Sequence, residues 1–400
     1  MEKLASSNRI FILPIIAVLV LGLIFMPANI PTVKMNPKNL PIGLVVSDEG
    51  EMGTTLSQAL LANAPEAVKF TQYESVEALT KAMDEKEAYG ALVIPADFSS
   101  KLTTLQTPTP EKATMQIYIN EGANSTVATI VQTALTTMVS MMNTNVSTQM
   151  LTAVGAKTEE MKTNLAPILA AQGENSPLAQ VATMISPIAP DKVQDFANPI
   201  QSEIIKVHEV NGLASVPAGL LTVVWFASLI GAVMLYLSGT KRSFTAKADK
   251  LKFNTLQSIL PFVYALVGGY VITWYSTWIL GFEYASFNKV ALFVSLAIAA
   301  FIFMIFATLR WLKLPSIIIF VLLMFFSLAA VQLAPEMVPQ FYRDYIISWL
   351  PLRFFVEGLK DVLFFTGDVF NQYGIVLVWI LVVAFVLVWI KNLVEKEKTI

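Results

Sequence analysis

Six stretches of the chain run for about twenty residues without a charged side chain: residues 10–27, 216–237, 256–280, 290–309, 315–334 and 373–390. As a helix, a stretch of that length crosses the apolar part of a bilayer. No other feature narrows the fold as far, because so much unbroken apolar surface has to be buried in protein or in lipid. The first stretch has a longer apolar core than an ordinary signal peptide, and no A-x-A-like site follows it. It therefore reads as an uncleaved anchor. Roughly 190 residues of different character separate it from the second.

The basic residues set an orientation. Lys3 and Arg9 precede the first stretch. Lys241, Arg242, Lys247, Lys250 and Lys252, against a single Asp249, lie between the second and third. Arg310 and Lys313 lie between the fourth and fifth, and Lys391, Lys396 and Lys398 follow the sixth. All fall on one side if both termini are cytoplasmic. Residues 30–215 then lie outside the cytoplasm, and they hold 11 Lys and no Arg against 19 acidic residues, a net charge of −8. The expected fold is an α-helical polytopic protein of the plasma membrane with six spans. A large extracytoplasmic α/β domain is inserted between spans one and two. The divisions are 1–29 (amino terminus and first span), 30–215 (α/β domain with a long helix), 216–391 (five spans) and 392–400 (cytoplasmic tail).

Within 30–215 the period changes. "PIGLVVS" (41–47), "AVKFTQY" (67–73), "GALVIP" (90–95) and "TMQIYIN" (114–120) read as strands. A helix over 54–64, with Leu56, Leu60 and Leu61 on one face, follows the turn "DEGEMG". Ser75 caps a second helix, with Glu77 and Ala78 in its first turn. "ADFS" opens a third. Strands alternating with helices imply a small α/β layer with mostly crossover connections. A long amphipathic helix over 125–165 follows, with Val127, Ile130, Val131, Ala134, Met138, Met141 and Met142 as its packing face. "IQSEIIKVHEV" (200–210) reads as extended. Asn124 ("NST") and Asn145 ("NVS") match the short glycosylation pattern by chance.

Much chemistry is absent from the sequence. With no cysteine there is no disulfide, thiolate nucleophile or Cys metal site. A triad or zinc site would have to be built on the single histidine, His208, which reads instead as a solvated or capping residue near the membrane surface. No phosphate-binding G-x-x-x-x-G-K-[ST] loop and no G-x-S-x-G elbow occurs. Asp48, Glu49 and Glu51 form an acidic patch that reads as a solvated turn. The expectation is a chain with no enzyme activity, cofactor or metal of its own, and the net charge of −2 gives no reason to expect nucleic acid as a partner.

No span carries an ionisable residue in its apolar core, which argues against proton-coupled transport. Gly268 and Gly269 allow a kink or a close helix contact in mid-span. Trp274 and Tyr275, near the outer end of the third span, read as interfacial anchors or as lining a path. Residues 335–365 are too polar to span and too apolar for a plain loop. Two short amphipathic helices, split at Pro351 and lying at or dipping into the outer leaflet, fit that stretch. Trp274, Tyr275, Gln332, Arg353 and Glu357 are the candidates for a translocation path or outer gate.

"PKNLPIGLVVSDEG", "GALVIPADFS" and "MQIYINEGAN" occur in the order in which similar stretches occur in the outside domain of YhgE/Pip-type membrane proteins, and the layout resembles theirs. "SWLPLRFFVEGLKDVLF" resembles the segment before the last span of type 2 ABC-transporter permeases. The resemblance implies a homodimer, or a heterodimer with a related permease, that exports a hydrophobic, lipid-like or drug-like cargo with a separate cytoplasmic ATPase. The alternative, known among such proteins, is a surface receptor or accessory scaffold of the phage-infection or secretion-system type, whose outer domain binds a partner. With few residues before the first span, ATPase docking falls to residues 240–254 and their cations Lys241, Arg242, Lys247, Lys250 and Lys252. That loop reads as a short coupling helix or as an ordinary basic loop.

Overall fold

The computed structural model describes residues 26–105, 111–172, 193–240 and 246–394, with single positions at 19, 23, 242 and 244. The chain divides into two compact units, Asn39–Val207 and Met1–Lys38 with His208–Ile400.

The first unit is built on a five-stranded sheet in the order β2-β1-β3-β4-β5. Its strands are β1 (Leu40–Val46), β2 (Val68–Tyr73), β3 (Gly90–Ile94), β4 (Ala113–Asn120) and β5 (Ile200–Val207). The helices are α1 (Glu51–Ala62), α2 (Val76–Asp84), α3 (Phe98–Thr104), α4 (Ser125–Gln172) and α5 (Val193–Ala197). Crossovers through α1 and α2 make β1, β2 and β3 parallel, as the alternation of strands and helices predicts. β4 instead runs antiparallel to β3. The stretch expected only to be extended is a full strand, β5, parallel to β4.

Period two decides which helix each side chain meets. Val45, Ala91 and Val93 pack on Leu79 and Met83 of α2. Ile42, Leu44, Leu92, Met115, Ile117 and Ile119, all buried, alternate with them and face the other side. On that side a Cβ at Gly90 would lie 2.6 Å from Val131 of α4, so glycine there sets how closely helix and sheet approach. The buried stripe of α4 is Val127, Val131, Leu135, Val139, Met142, Val146 and Met150, at steps of three and four. It shares only three members with the expected face. Met141 is 61% exposed, because it lies one position off that stripe. Leu61 is likewise exposed on α1, whereas Leu56 and Leu60 are buried.

The second unit is helical: α6 (Val216–Thr240), α7 (Lys247–Leu280), α8 (Phe287–Leu312), α9 (Ile317–Ala330), α10 (Gln340–Tyr345), α11 (Pro351–Phe364) and α12 (Gln372–Val394). α8 is its hub, buried almost throughout and packed against α6, α7, α11 and α12. A Cβ at Gly269 would lie 2.6 Å from the Ser295 backbone nitrogen, so the mid-span glycine serves a close helix contact. α6, α8 and α12 begin at one end of the bundle, the upper end. At the lower end Gln257, near the start of α7, donates to the Leu235 carbonyl near the end of α6.

Five helices among the described residues are long and apolar enough to cross a membrane: α6, α7, α8, α12 and the Ser125–Asn164 stretch of α4. The fold is thus mostly helical with a small mixed sheet, and compatible with a multi-pass membrane protein. Four of the six expected spans are long helices. The expected span at 10–27 lies almost wholly outside the described residues. The one at 315–334 is the 14-residue helix α9 behind a single 3₁₀ turn. At about 21 Å it falls short of a hydrocarbon core of about 30 Å. The helix ends at Ala330, and Pro335 keeps the chain from resuming it: the residue before a proline avoids the helical region, and Ala334 is extended at ψ 147°.

Candidate functional site

Among the candidate path residues the structure singles out α11. Pro351 opens the helix from an extended Leu350, its fixed φ already helical. Leu352, Phe355, Val356 and Leu359 are buried, and Arg353, Glu357 and Lys360 form a half-buried stripe beside them. The helix is anchored at both ends of its upper half. A Cβ at Gly358 would lie 2.4 Å from the Phe293 ring. Asn371 donates to the Gly358 carbonyl at 3.0 Å while its Oδ1 accepts from Gly374 N at 2.9 Å, tying α11 to the start of α12.

These contacts fix the depth of the helix. Gly358 sits level with Phe293, six residues or about 9 Å below the start of α8. The Phe355 ring stands between Phe293, 6.1 Å away, and Phe301, 6.5 Å away. Arg353 lies five residues before Gly358, roughly 16 Å below the upper end of α8. α11 then returns to the upper end, where Phe365 stacks on His208 at 4.2 Å and Asp368 pairs with Lys289 at 3.7 Å. So 335–365 does more than lie at a surface: α11 enters the bundle to about half the length of α8 and comes back out.

It carries charge to that depth. Lys360 Nζ donates to Glu357 Oε1 at 2.8 Å, with side chains only 13% and 18% exposed. The Arg353 guanidinium has no hydrogen-bond or ion-pair partner among the described residues. The other candidates are placed elsewhere. Trp274 and Tyr275 are about half exposed, and Trp274 stacks on Trp278 at 5.6 Å. The buried side of that part of α7 is Thr273 and Ser276. Gln332 is exposed in the turn after α9.

Of the basic set, Lys241 lies outside the described residues. Arg242 stands over the Phe253 ring at 4.9 Å. Lys247, Lys250 and Lys252 occupy the first two turns of α7, which continues unbroken to Leu280, so among the described residues there is no separate coupling helix. Sequence reasoning missed what stands beside them. Arg310 donates to Gln257 Oε1 at 3.3 Å and to Asn392 Oδ1 at 2.8 Å, which joins the lower ends of α7, α8 and α12. Arg310 signalled only orientation in the sequence, because its partners stand 53 and 82 residues away.

The acidic patch is corrected at Asp48 alone; Glu49 and Glu51 are exposed, as a solvated turn requires. Asp48 is 5% exposed and accepts from Gly53 N at 3.2 Å, from Ser99 N at 3.0 Å and from the Ser99 hydroxyl. It caps α1 and braces the first turn of α3 at the carboxyl ends of β1 and β3, the place where open α/β sheets commonly hold a ligand. The chain's own carboxylate fills that place. A Cβ at Gly53 would lie 2.3 Å from Asp48 Oδ2, which is why the turn needs glycine. Asn124 is buried too, and its Oδ1 caps α4 by accepting from Thr126 N and Val127 N at 3.1 Å. No group of three or more metal-ligating His, Asp or Glu side chains occurs among the described residues.

A helical bundle with an amphipathic helix turned back into it, and an α/β unit inserted into the chain, is compatible with a multi-pass membrane protein. The chain belongs to the family described as Protein of unknown function (DUF3533), whose model matches residues 11–385. No curated protein and no solved structure matches it.

Proposed function

We propose that the chain is the permease-like subunit of an ABC-type exporter, moving a hydrophobic, lipid-like or drug-like cargo with a separate cytoplasmic ATPase. The observation that carries this reading is α11. A charged helix that enters a bundle whose other helices carry charge only near their ends has no use in a bare anchor, and intramembrane ionisable residues mark pathways by default. The gathering of Arg242, Lys247, Lys250, Lys252, Arg310 and Lys391 at the lower end supports placing that end in the cytoplasm. An ATPase would meet the lower turns of α7 there, beside the Arg310–Gln257–Asn392 cluster that links three helix ends.

The test is purification of the tagged protein from its native membrane in mild detergent, followed by identification of what accompanies it. A stoichiometric ATPase, lost when Lys247, Lys250 and Lys252 are changed to Glu, is the expected result. A reproducible complex of surface or secretion proteins alone would shift the reading to a receptor or scaffold working through the α/β unit.

A further inference from the structure

Arg353 cannot shed its charge, since a guanidinium stays protonated in proteins. A cation held about halfway down a helix bundle needs a counter-charge or water. The neighbouring helices offer no carboxylate: α6, α8, α9 and α12 contain neither Asp nor Glu. On α11 itself Glu357 is held by Lys360, and Asp361 lies two turns nearer the upper end with a partner of its own. A second donor is left over at the same level. Trp225 is fully buried, its indole N–H has no partner among the described residues, and its ring meets Phe301 at 5.2 Å, the ring that Phe355 also meets. Buried donors without acceptors call for an explanation. Arg353 thus calls for a negative charge and Trp225 for an acceptor, on helices whose buried residues there are Phe301, Leu352 and Phe355.

We propose that Arg353 binds the anionic head, phosphate or carboxylate, of an amphiphile whose chain lies along the apolar helices. The guanidinium fork matches both oxyanions in bidentate geometry. As a statement about cargo this rests on the export reading; as a binding site it does not.

The test uses the full chain in neutral maltoside micelles, with calorimetric titration of decyl phosphate, decanoate, a decyl zwitterion of no net charge, and inorganic phosphate. Decyl phosphate and decanoate should bind, and the zwitterion should bind much more weakly. Arg353→Gln should weaken decyl phosphate by at least about tenfold, the weight of one charge-assisted hydrogen bond. Arg353→Lys keeps the charge, loses the fork and should fall between. Equal affinity for the zwitterion, or wild-type affinity in both variants, overturns the site. If Arg353→Gln does not fold, Arg353→Lys alone decides, and wild-type affinity there overturns it. Inorganic phosphate binding as tightly as decyl phosphate overturns the amphiphile in favour of a free anion. Failure in this titration leaves the ATPase test untouched. Binding by a chain that brings down no ATPase keeps the site and removes the export role.

Discussion

The two units treat a charged side chain away from water in opposite ways. In the α/β unit Asp48 is buried and satisfied, with three donors from Gly53 and Ser99 around one carboxylate. In the helical unit Arg353 is half-buried and has no hydrogen-bond or ion-pair partner among the described residues, two residues from the fully buried Phe355. A matched charge holds a fold together. An unmatched one costs stability unless water or a ligand completes it. The contrast separates what holds the fold together from what a ligand could complete.

Breaking the matched charge should have the largest effect. Asp48→Ala leaves the Gly53 and Ser99 donors buried without an acceptor and uncaps α1, at about 3–4 kcal/mol. Limited proteolysis of the full chain should then cut first at α1 and α3; unchanged protection there would mean that Asp48 is not the brace. The Glu357–Lys360 pair comes next. Lys360→Met removes the ammonium partner of Glu357 and should cost about 2 kcal/mol, below the range for a fully buried pair, since both side chains keep some exposure. Thermal unfolding in detergent reads it. The double change Glu357→Gln with Lys360→Met should recover most of the loss, and no recovery would mean that the pair is not the unit of stability.

A smaller effect sits at the α2 cap. Ser75 Oγ accepts from Ala78 N at 3.2 Å, and Ser75→Ala should cost about 1 kcal/mol. The same hydroxyl holds the Glu77 carboxyl below the usual carboxylate range, helped by a backbone hydrogen bond. A lowered folded pKa adds stability at neutral pH that is lost as pH falls through that folded pKa. The variant should therefore show a shallower acid-side loss as well as a lower plateau, and a parallel shift at all pH values would break the assignment to Glu77.

These elements differ in how plainly the sequence announced them. Ser75, and strands β1 to β4, were legible because alternation and capping are local patterns. β5 was legible as extended but not as a partner of β4, since pairing is set by a crossover of about eighty residues. Asp48 looked solvated because Ser99, which buries it, lies 51 residues on. The depth of α11 was hidden for a related reason. Its polarity excludes a span, and contacts with distant residues, the seat of Gly358 on Phe293 65 residues earlier among them, draw it into the bundle. Local chemistry was read from the chain, whereas the meeting of distant chemistry was not.

The smallest effect on stability is expected at Arg353, and it is the sharpest test of the contrast. A charge with no partner contributes no ion pair, so its removal loses only the packing of the aliphatic stem. Removing the charge also relieves the cost of holding a cation partway down the bundle. Arg353→Gln keeps most of the stem's length and drops the charge, so thermal stability of the ligand-free protein should stay level or rise by about 0.5–1 kcal/mol. Added decyl phosphate should raise the melting temperature of the wild type and leave the variant where it was, because only a ligand that binds the folded state shifts it. A loss of 2 kcal/mol or more without ligand, as at Lys360, would show that Arg353 has a partner within the chain after all. It would then join Asp48 on the structural side of the comparison.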